Sequence, residues 1–232
     1  MYKHLEYSLG DIMHPYSIIP IVSKELTEYR LGDSVTRRFI GCACLHASDV
    51  AVDYDFLEKD LPEIIVQEKA DTLYLVGDLT EGNKYDQDRK GQLIDRFSFP
   101  QHQKELAGFL CASALFRVFK MNFEVHRNVQ KSFPRIVAIP GNHDDVKNEP
   151  SLDAFERIFL AVLRDAIFRY LALRTDVDDT MKRYDVIGSI VREKMRVLGN
   201  PSMDGNVGLI HEYSQSAEQS TGKTQKASKQ FM

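Results

Sequence analysis

The sequence predicts an α/β domain, and three observations predict it. Short apolar runs with strand character recur at residues 38–45, 73–76 and 135–139. Segments with apolar residues at three- and four-residue steps lie between and after them. The second and third runs each lead into a glycine and a polar loop, Gly77-Asp78-Leu79-Thr80-Glu81-Gly82-Asn83 and Gly141-Asn142-His143-Asp144.

The elements follow in order. Residues 1–35 show no clear period, and His14-Pro15 and Ile19-Pro20 interrupt regular structure, so an extended segment packed on the domain is expected. The first core strand spans 38–45. Phe56, Leu57, Leu61, Ile64 and Ile65 recur at helical spacing, with Pro62 as a start or kink. The second strand, 73–76, completes a strand–helix–strand crossover, which is right-handed within a parallel sheet. Residues 84–96 are polar and expected as a loop over the strand ends. Residues 105–122 read as a helix apolar on most faces and therefore largely buried. After the third strand, Pro150-Ser151 opens the clearest helix, with Ser151 as N-cap and Leu152, Phe155, Phe159, Val162 and Ala166 on one face. Residues 179–198 predict a further helix with Tyr184, Ile187, Val191 and Met195 aligned. From 213 to 232 the chain turns to Ser, Gln, Lys, Thr and Ala, a composition expected to be disordered. The division is therefore an extension over 1–35, a domain over 36–212 and a tail over 213–232.

Composition narrows the function. The chain has 232 residues, 43% hydrophobic and 28% charged, sufficient for one domain with a full core. Its net charge of −4 and pI near 6.0 give no bulk electrostatic argument for nucleic-acid binding. Cys42, Cys44 and Cys111 form no disulfide framework; Cys42 and Cys44, two apart in an apolar run, read as small buried residues. No signal-peptide pattern or membrane-length apolar run stands out, so a cytoplasmic location without membrane contact is expected.

The chemistry is concentrated at the two glycine loops. Gly-Asp and Gly-Asn are individually ordinary turn pairs. Together, each after a strand, they bring carboxylate, amide and imidazole groups to neighbouring strand ends, which suits divalent metals acting on a phosphate ester. These strings resemble the calcineurin-like metallophosphoesterases, whose blocks run Asp-x-His, Gly-Asp-x-x-Asp/Glu, Gly-Asn-His-Asp/Glu, a lone His and Gly-His-x-His. Gly77-Asp78-Leu79-Thr80-Glu81 and Gly141-Asn142-His143-Asp144 match the second and third blocks.

The first block admits two registers. In one, Leu45-His46-Ala47-Ser48-Asp49-Val50-Ala51 resembles the Leu-His-x-Ser-Asp-x-His of the family's nuclease branch, with Asp49 as the Asp and Ala51 in place of the His. In the other, His46 takes the His place and Cys44 replaces the Asp. The first is preferred, because Asp49 follows the apolar run and lies 29 residues before Asp78. A plain turn or helix cap is the competing role for Asp49. His211 is matched to the fourth block, and Gly-His-x-His does not occur.

The resemblance implies a layered α/β/β/α sandwich, with one incomplete at its C-terminal side as the alternative, and the site at the C-terminal strand ends. It implies two divalent ions, Mn²⁺ foremost, with Mg²⁺, iron or Zn²⁺ as alternatives. Asp78 would bridge them, Asp49 would hold the first, and Asn142 and His211 the second. His143 would donate a proton to the leaving group, paired with Glu81, while Asp144 fixes the turn. The expected function is phosphoester hydrolysis, tilted towards a phosphodiester or nucleic acid. The alternative is a non-catalytic scaffold or a truncated fragment with a degenerate metal site. Oligomeric state is left open.

Overall fold

The computed structural model describes residues 21–23, 29–31, 35–82, 94, 99–141, 143–144, 152–200, 202–205 and 207–211. The expectations for the 84–96 loop and the 213–232 tail fall outside these, apart from Ile94, as do those for Asn142 and Ser151.

A five-stranded sheet organises the chain. Its strands are β1 (Ile21–Ser23), β4 (Phe39–Ala43), β5 (Thr72–Val76), β6 (Arg135–Ile139) and β7 (Met195–Val197), in that spatial order. β4 to β7 run parallel, and β1 pairs antiparallel with β4. A separate hairpin joins β2 (Tyr29–Leu31) to β3 (Val35–Arg37). A second joins β8 (Ser202–Asp204) to β9 (Val207–Leu209).

The helices arise as crossovers between parallel strands. A π-helical turn, Phe56–Asp60, runs directly into α1 (Leu61–Gln67), where Pro62 sits in the first turn and brings no backbone N–H. Helix α2 (Pro100–His126) connects β5 to β6, and α3 (Asp153–Ala172) and α4 (Tyr184–Lys194) connect β6 to β7. Along α3, Phe155, Phe159, Leu163, Ile167 and Leu171 are fully buried at four-residue steps. Val162 and Ala166, expected on this face, are only half-buried, because an exact four-residue repeat outlines one edge of the stripe. Burying each large residue contributes at most about 1.5–3 kcal/mol.

Alternation within the sheet separates two cores. Leu73, Leu75, Ile136 and Ala138 face the helices, while Tyr74, Val137 and Ile139 face Leu209 of the β8–β9 hairpin. Helices, sheet and hairpin thus supply three layers of the expected α/β/β/α order among the described residues. Asp204 secures the hairpin: it accepts a hydrogen bond from the Tyr74 hydroxyl at 2.9 Å and is gripped by two nitrogens of Arg135.

Three sequence expectations change. Residues 195–197 form a strand, not the end of a helix, because the open edge of β6 takes Met195 opposite Ile136. The N-terminal segment contributes β1 to the sheet rather than only packing on it. Finally, α2 is long and apolar enough, by length and composition, to cross a membrane. Its apolar character also serves the core, where Ala112, Leu115, Val118, Phe119 and Phe123 are almost fully enclosed.

Candidate metal centre at the strand ends

β4, β5 and β6 end in register, Ala43 beside Val76 and Val76 beside Ile139. Beyond them the first two loops continue side by side. Cys44 N donates to Gly77 O at 3.1 Å, His46 N to Asp78 O at 2.9 Å, and Ala47 N to Leu79 O at 2.9 Å. Four of the six described non-glycine residues with positive φ are Cys44, His46, Ser48 and Asp78, so strained backbone concentrates here.

Glycine is required at the points of closest approach. A Cβ on Gly141 would stand 2.1 Å from Asp78 Oδ1. A Cβ on Gly77, whose φ is +71°, would stand 2.3 Å from the His211 ring. Buried Asp144 ties the loops together: its carboxylate accepts hydrogen bonds from the amides of Leu79, Thr80 and Gly141 and from the Thr80 hydroxyl, all between 2.8 and 3.0 Å. Burial pushes its pKa up against the pull of those donors.

Asp78 is the centre of the site. Its Oδ1 accepts the His143 amide at 3.0 Å, and its Oδ2 lies 3.3 Å from His211 Nε2 and 4.0 Å from His143 Nε2. Cys44 Sγ is 3.8 Å from His211 Nε2. The potential ligand atoms of Cys44, His46 and Asp78 lie within 4.8 Å of one another, as do those of His46, Glu81 and His143. His46 Nδ1 pairs with Glu81 Oε2 at 2.7 Å, and the His46 and His143 rings meet edge to face at 5.0 Å. His143 Nδ1 donates to the Glu81 carbonyl.

The electrostatics follow from this crowding. Hydrogen bonds to Asp78 and Cys44 push His211 up to about 9. Burial opposes charge on His46, but hydrogen bonds to Cys44 and Glu81 and the charges of Glu81 and Asp78 overcome it, raising it to about 10. Hydrogen bonds from His211 and His46 bring the Cys44 thiol down to about 7. Burial also opposes ionisation of Asp78, yet His211 and the His143 amide hold it below the usual carboxylate range. The anionic donors are thus balanced by protons on imidazoles.

A family model described as calcineurin-like phosphoesterase matches residues 37–212, about three-quarters of the chain. The chain belongs to the calcineurin-like phosphoesterase family. No curated protein and no solved structure matches it. The family is in general one of metal-dependent phosphoester hydrolases, and its members bind divalent metals.

In this phosphoesterase domain the expected residues are distributed unevenly. Asp78, Glu81, His143 and His211 converge. Asn142 lies outside the described residues. Asp49 joins neither potential ligand group; its Oδ1 accepts the Ala51 amide at 2.7 Å, closing a turn. Cys44 and His46 stand beside Asp78 instead. The physical reason is that the strand stops at Ala43, so Leu45 and Ala47 are buried loop residues rather than strand residues. The Glu81–His143 pairing also differs from expectation: the hydrogen bond uses the Glu81 carbonyl, and the carboxylate holds His46. His211, assigned by sequence to the second ion, lies on the Cys44 side of Asp78.

Two sequence signals point to this arrangement, the first being the register of the first block that was not preferred. Cys44-Leu45-His46 has the spacing of Asp-x-His with a thiol in the Asp place. Gly208-Leu209-Ile210-His211 keeps the first and last residues of Gly-His-x-His, with Leu209 in place of the first His and packed in the core beneath the hairpin.

The donor set fits a divalent cation. A neutral His46 that donates a hydrogen bond from Nδ1–H to Glu81 leaves a lone pair on Nε2 for a cation, the carboxylate–histidine arrangement typical of metal ligands. His211 turns Nε2 towards Asp78 and Cys44. Cys44, His46, Asp78 and His211 are the described side chains that would hold the metal.

Proposed function

We propose that the protein hydrolyses a phosphodiester, with nucleic acid as a candidate substrate, at a divalent-metal site centred on Asp78. The carrying observation is the convergence at Asp78: Cys44 and His46 group with it, and its Oδ2 lies 3.3 Å from His211 Nε2 and 4.0 Å from His143 Nε2. The Leu45-His46-Ala47-Ser48-Asp49 string, which resembles that of the family's nuclease branch except for Ala51 in place of its His, is what tilts the proposal towards a diester. By the resemblance, Asn142 would complete a second ion position, whose oxygen donors would suit Mn²⁺. The three free cysteines suit a reducing compartment, and a cytoplasmic location is part of the proposal.

A bound divalent cation would neutralise phosphoryl charge and activate water. The residues organise the remaining chemistry. Asp78 holds the His143 backbone through Oδ1, which fixes the imidazole relative to the cation site. The Glu81 carbonyl accepts the Nδ1 proton of His143, leaving Nε2 to carry and deliver the proton required by the leaving oxygen. Glu81 also orients His46 through its carboxylate.

The test is turnover of a bis-aryl phosphodiester and a mono-aryl phosphate, with Mn²⁺ and Zn²⁺ titrated separately. Asp78→Asn should lower metal-dependent turnover by on the order of 10³-fold or more, and His143→Ala by roughly 10²–10⁴-fold. Faster turnover of the monoester would overturn the diester assignment. A second reading, a scaffold that kept the fold, is favoured by Leu209 in the place of a family histidine; absence of metal-dependent turnover under all conditions would select it.

A further inference from the structure

We propose that Cys44 ligates the metal as a thiolate, and that this side of the site therefore selects Zn²⁺ over Mn²⁺ or Mg²⁺. The inference rests on the metallophosphoesterase reading above and adds the identity of the ion beside Cys44. Four observations carry it: the position of the thiol, the separations between donor atoms, the orientation of His46, and the closeness of packing around His211.

Cys44 immediately follows β4, and its thiol faces the site rather than the core. It is half-buried, unlike Cys42, which is completely enclosed. The donor separations have the size of a zinc polyhedron. Tetrahedral bonds of roughly 2.3 Å to sulfur and 2.0–2.2 Å to nitrogen and oxygen imply edges of about 3.6 Å for S···N and about 3.4 Å for N···O. The observed separations are 3.8 Å from Cys44 Sγ to His211 Nε2 and 3.3 Å from His211 Nε2 to Asp78 Oδ2. His46 lies in the same group with its Nδ1 engaged by Glu81, which fixes the ring in the orientation a ligand requires. Gly77 removes the Cβ that would otherwise occupy the space of the His211 ring, so this imidazole is placed by close packing.

Thiolate and imidazole donors favour zinc, whereas carboxylate and carbonyl oxygens favour magnesium and manganese. An aspartate in the place of Cys44 would give a harder site. Binding through sulfur forms an S–metal bond and releases the thiol proton to solvent, with no change of oxidation state.

The full chain, stripped of metal, would be loaded with Co²⁺ as a spectroscopic substitute for Zn²⁺, alongside Cys44→Asp and Cys44→Ser. A sulfur-to-cobalt charge-transfer band is expected in the native protein and absent from both variants. Competitive titration should show the Zn²⁺/Mn²⁺ affinity ratio falling by on the order of tenfold or more in Cys44→Asp. Because zinc outcompetes manganese at most sites, this change in ratio is the decisive quantity. Co²⁺ bound in an Asp78-dependent manner without the band, or an unchanged ratio in Cys44→Asp, would overturn the thiolate assignment while leaving the phosphoesterase reading intact. Failure of the native protein to bind any of these ions would overturn both. The band in the native protein tests ligation through sulfur even if a variant does not fold, and the ratio tests the selectivity.

Discussion

The two halves of the site differ in how they are built. The β5 and β6 loops, carrying Asp78 and His143, are bound to each other by the Asp144 carboxylate and by a Gly141–Asp78 approach that tolerates no Cβ. The other half collects Cys44 and His46 from the β4 loop and His211 from beyond a distant hairpin. In the first half the backbone is the framework, and the family motif is intact. In the second half the side chains come from separate segments, and Cys44 and His46 stand beside Asp78 while Asp49 closes a turn. A local hydrogen-bonded lattice constrains every residue within it, while a site assembled from separate segments can exchange individual donors.

The sharpest way to break this comparison is to remove Asp144. Asp144→Ala would strand the amides of Leu79, Thr80 and Gly141 and the Thr80 hydroxyl, each costing about 1–3 kcal/mol when buried without a partner. The expected loss is at least about 4 kcal/mol, enough to unfold many domains. Thr80→Val should be milder, because the Thr80 amide keeps its Asp144 partner. Chemical denaturation of the two variants provides the measurement; equal, small losses would show that the lattice is not the framework of this half.

The segmental half should respond differently. Asp204 clamps the β8–β9 hairpin through Tyr74 and Arg135, and His211 follows that hairpin by two residues. Asp204→Asn is expected to weaken metal binding by roughly tenfold while lowering global stability by only about 1–3 kcal/mol. Calorimetric metal titration beside a denaturation curve would show whether affinity and stability separate. A proportional loss of both would mean that the hairpin belongs to the global fold rather than acting as a carrier for His211.

The same contrast explains what could be read from sequence. β5 and β6 and their loops were legible because apolar runs end in Gly-Asp and Gly-Asn-His-Asp, where local geometry dictates residue type. The register that places Cys44 and His46 in the site was also readable but not preferred, since a cysteine near an apolar strand resembles Cys42, which is buried. Only the stop of β4 at Ala43 distinguishes the two. The strand at 195–197 was hidden by Met195, which continues the helical spacing of Ile187 and Val191; its pairing with β6 is non-local. The place of His211 depends on how the hairpin lies across Tyr74, Val137 and Ile139, which no local pattern encodes.

The smallest expected effect is a loss of stability with rising pH, confined to the metal-free state of the segmental half. His211 and His46 hold their protons more tightly when folded, with pKa values near 9 and 10 against an ordinary value of about 6.5. Their stabilisation is complete below pH ~6.5 and is lost as pH rises through about 9 and 10. Cys44 works in the opposite direction: its folded pKa is brought down from 9.0 to about 7, so its contribution is present above 9 and lost as pH falls through about 7. Two imidazoles outweigh one thiol, so the net slope is negative, with stability decreasing as pH rises from about 6.5 to 10. For a chain of this size the melting temperature should fall by on the order of a few degrees across that window. Saturating Zn²⁺ displaces the protons from the folded site and should abolish or reverse this negative slope, because the unfolded Cys44 keeps its proton up to about pH 9. Thermal unfolding at several pH values, with and without metal, provides the measurement. A metal-free slope that rises with pH, or one that Zn²⁺ leaves unchanged, would place the balancing protons outside this half of the site.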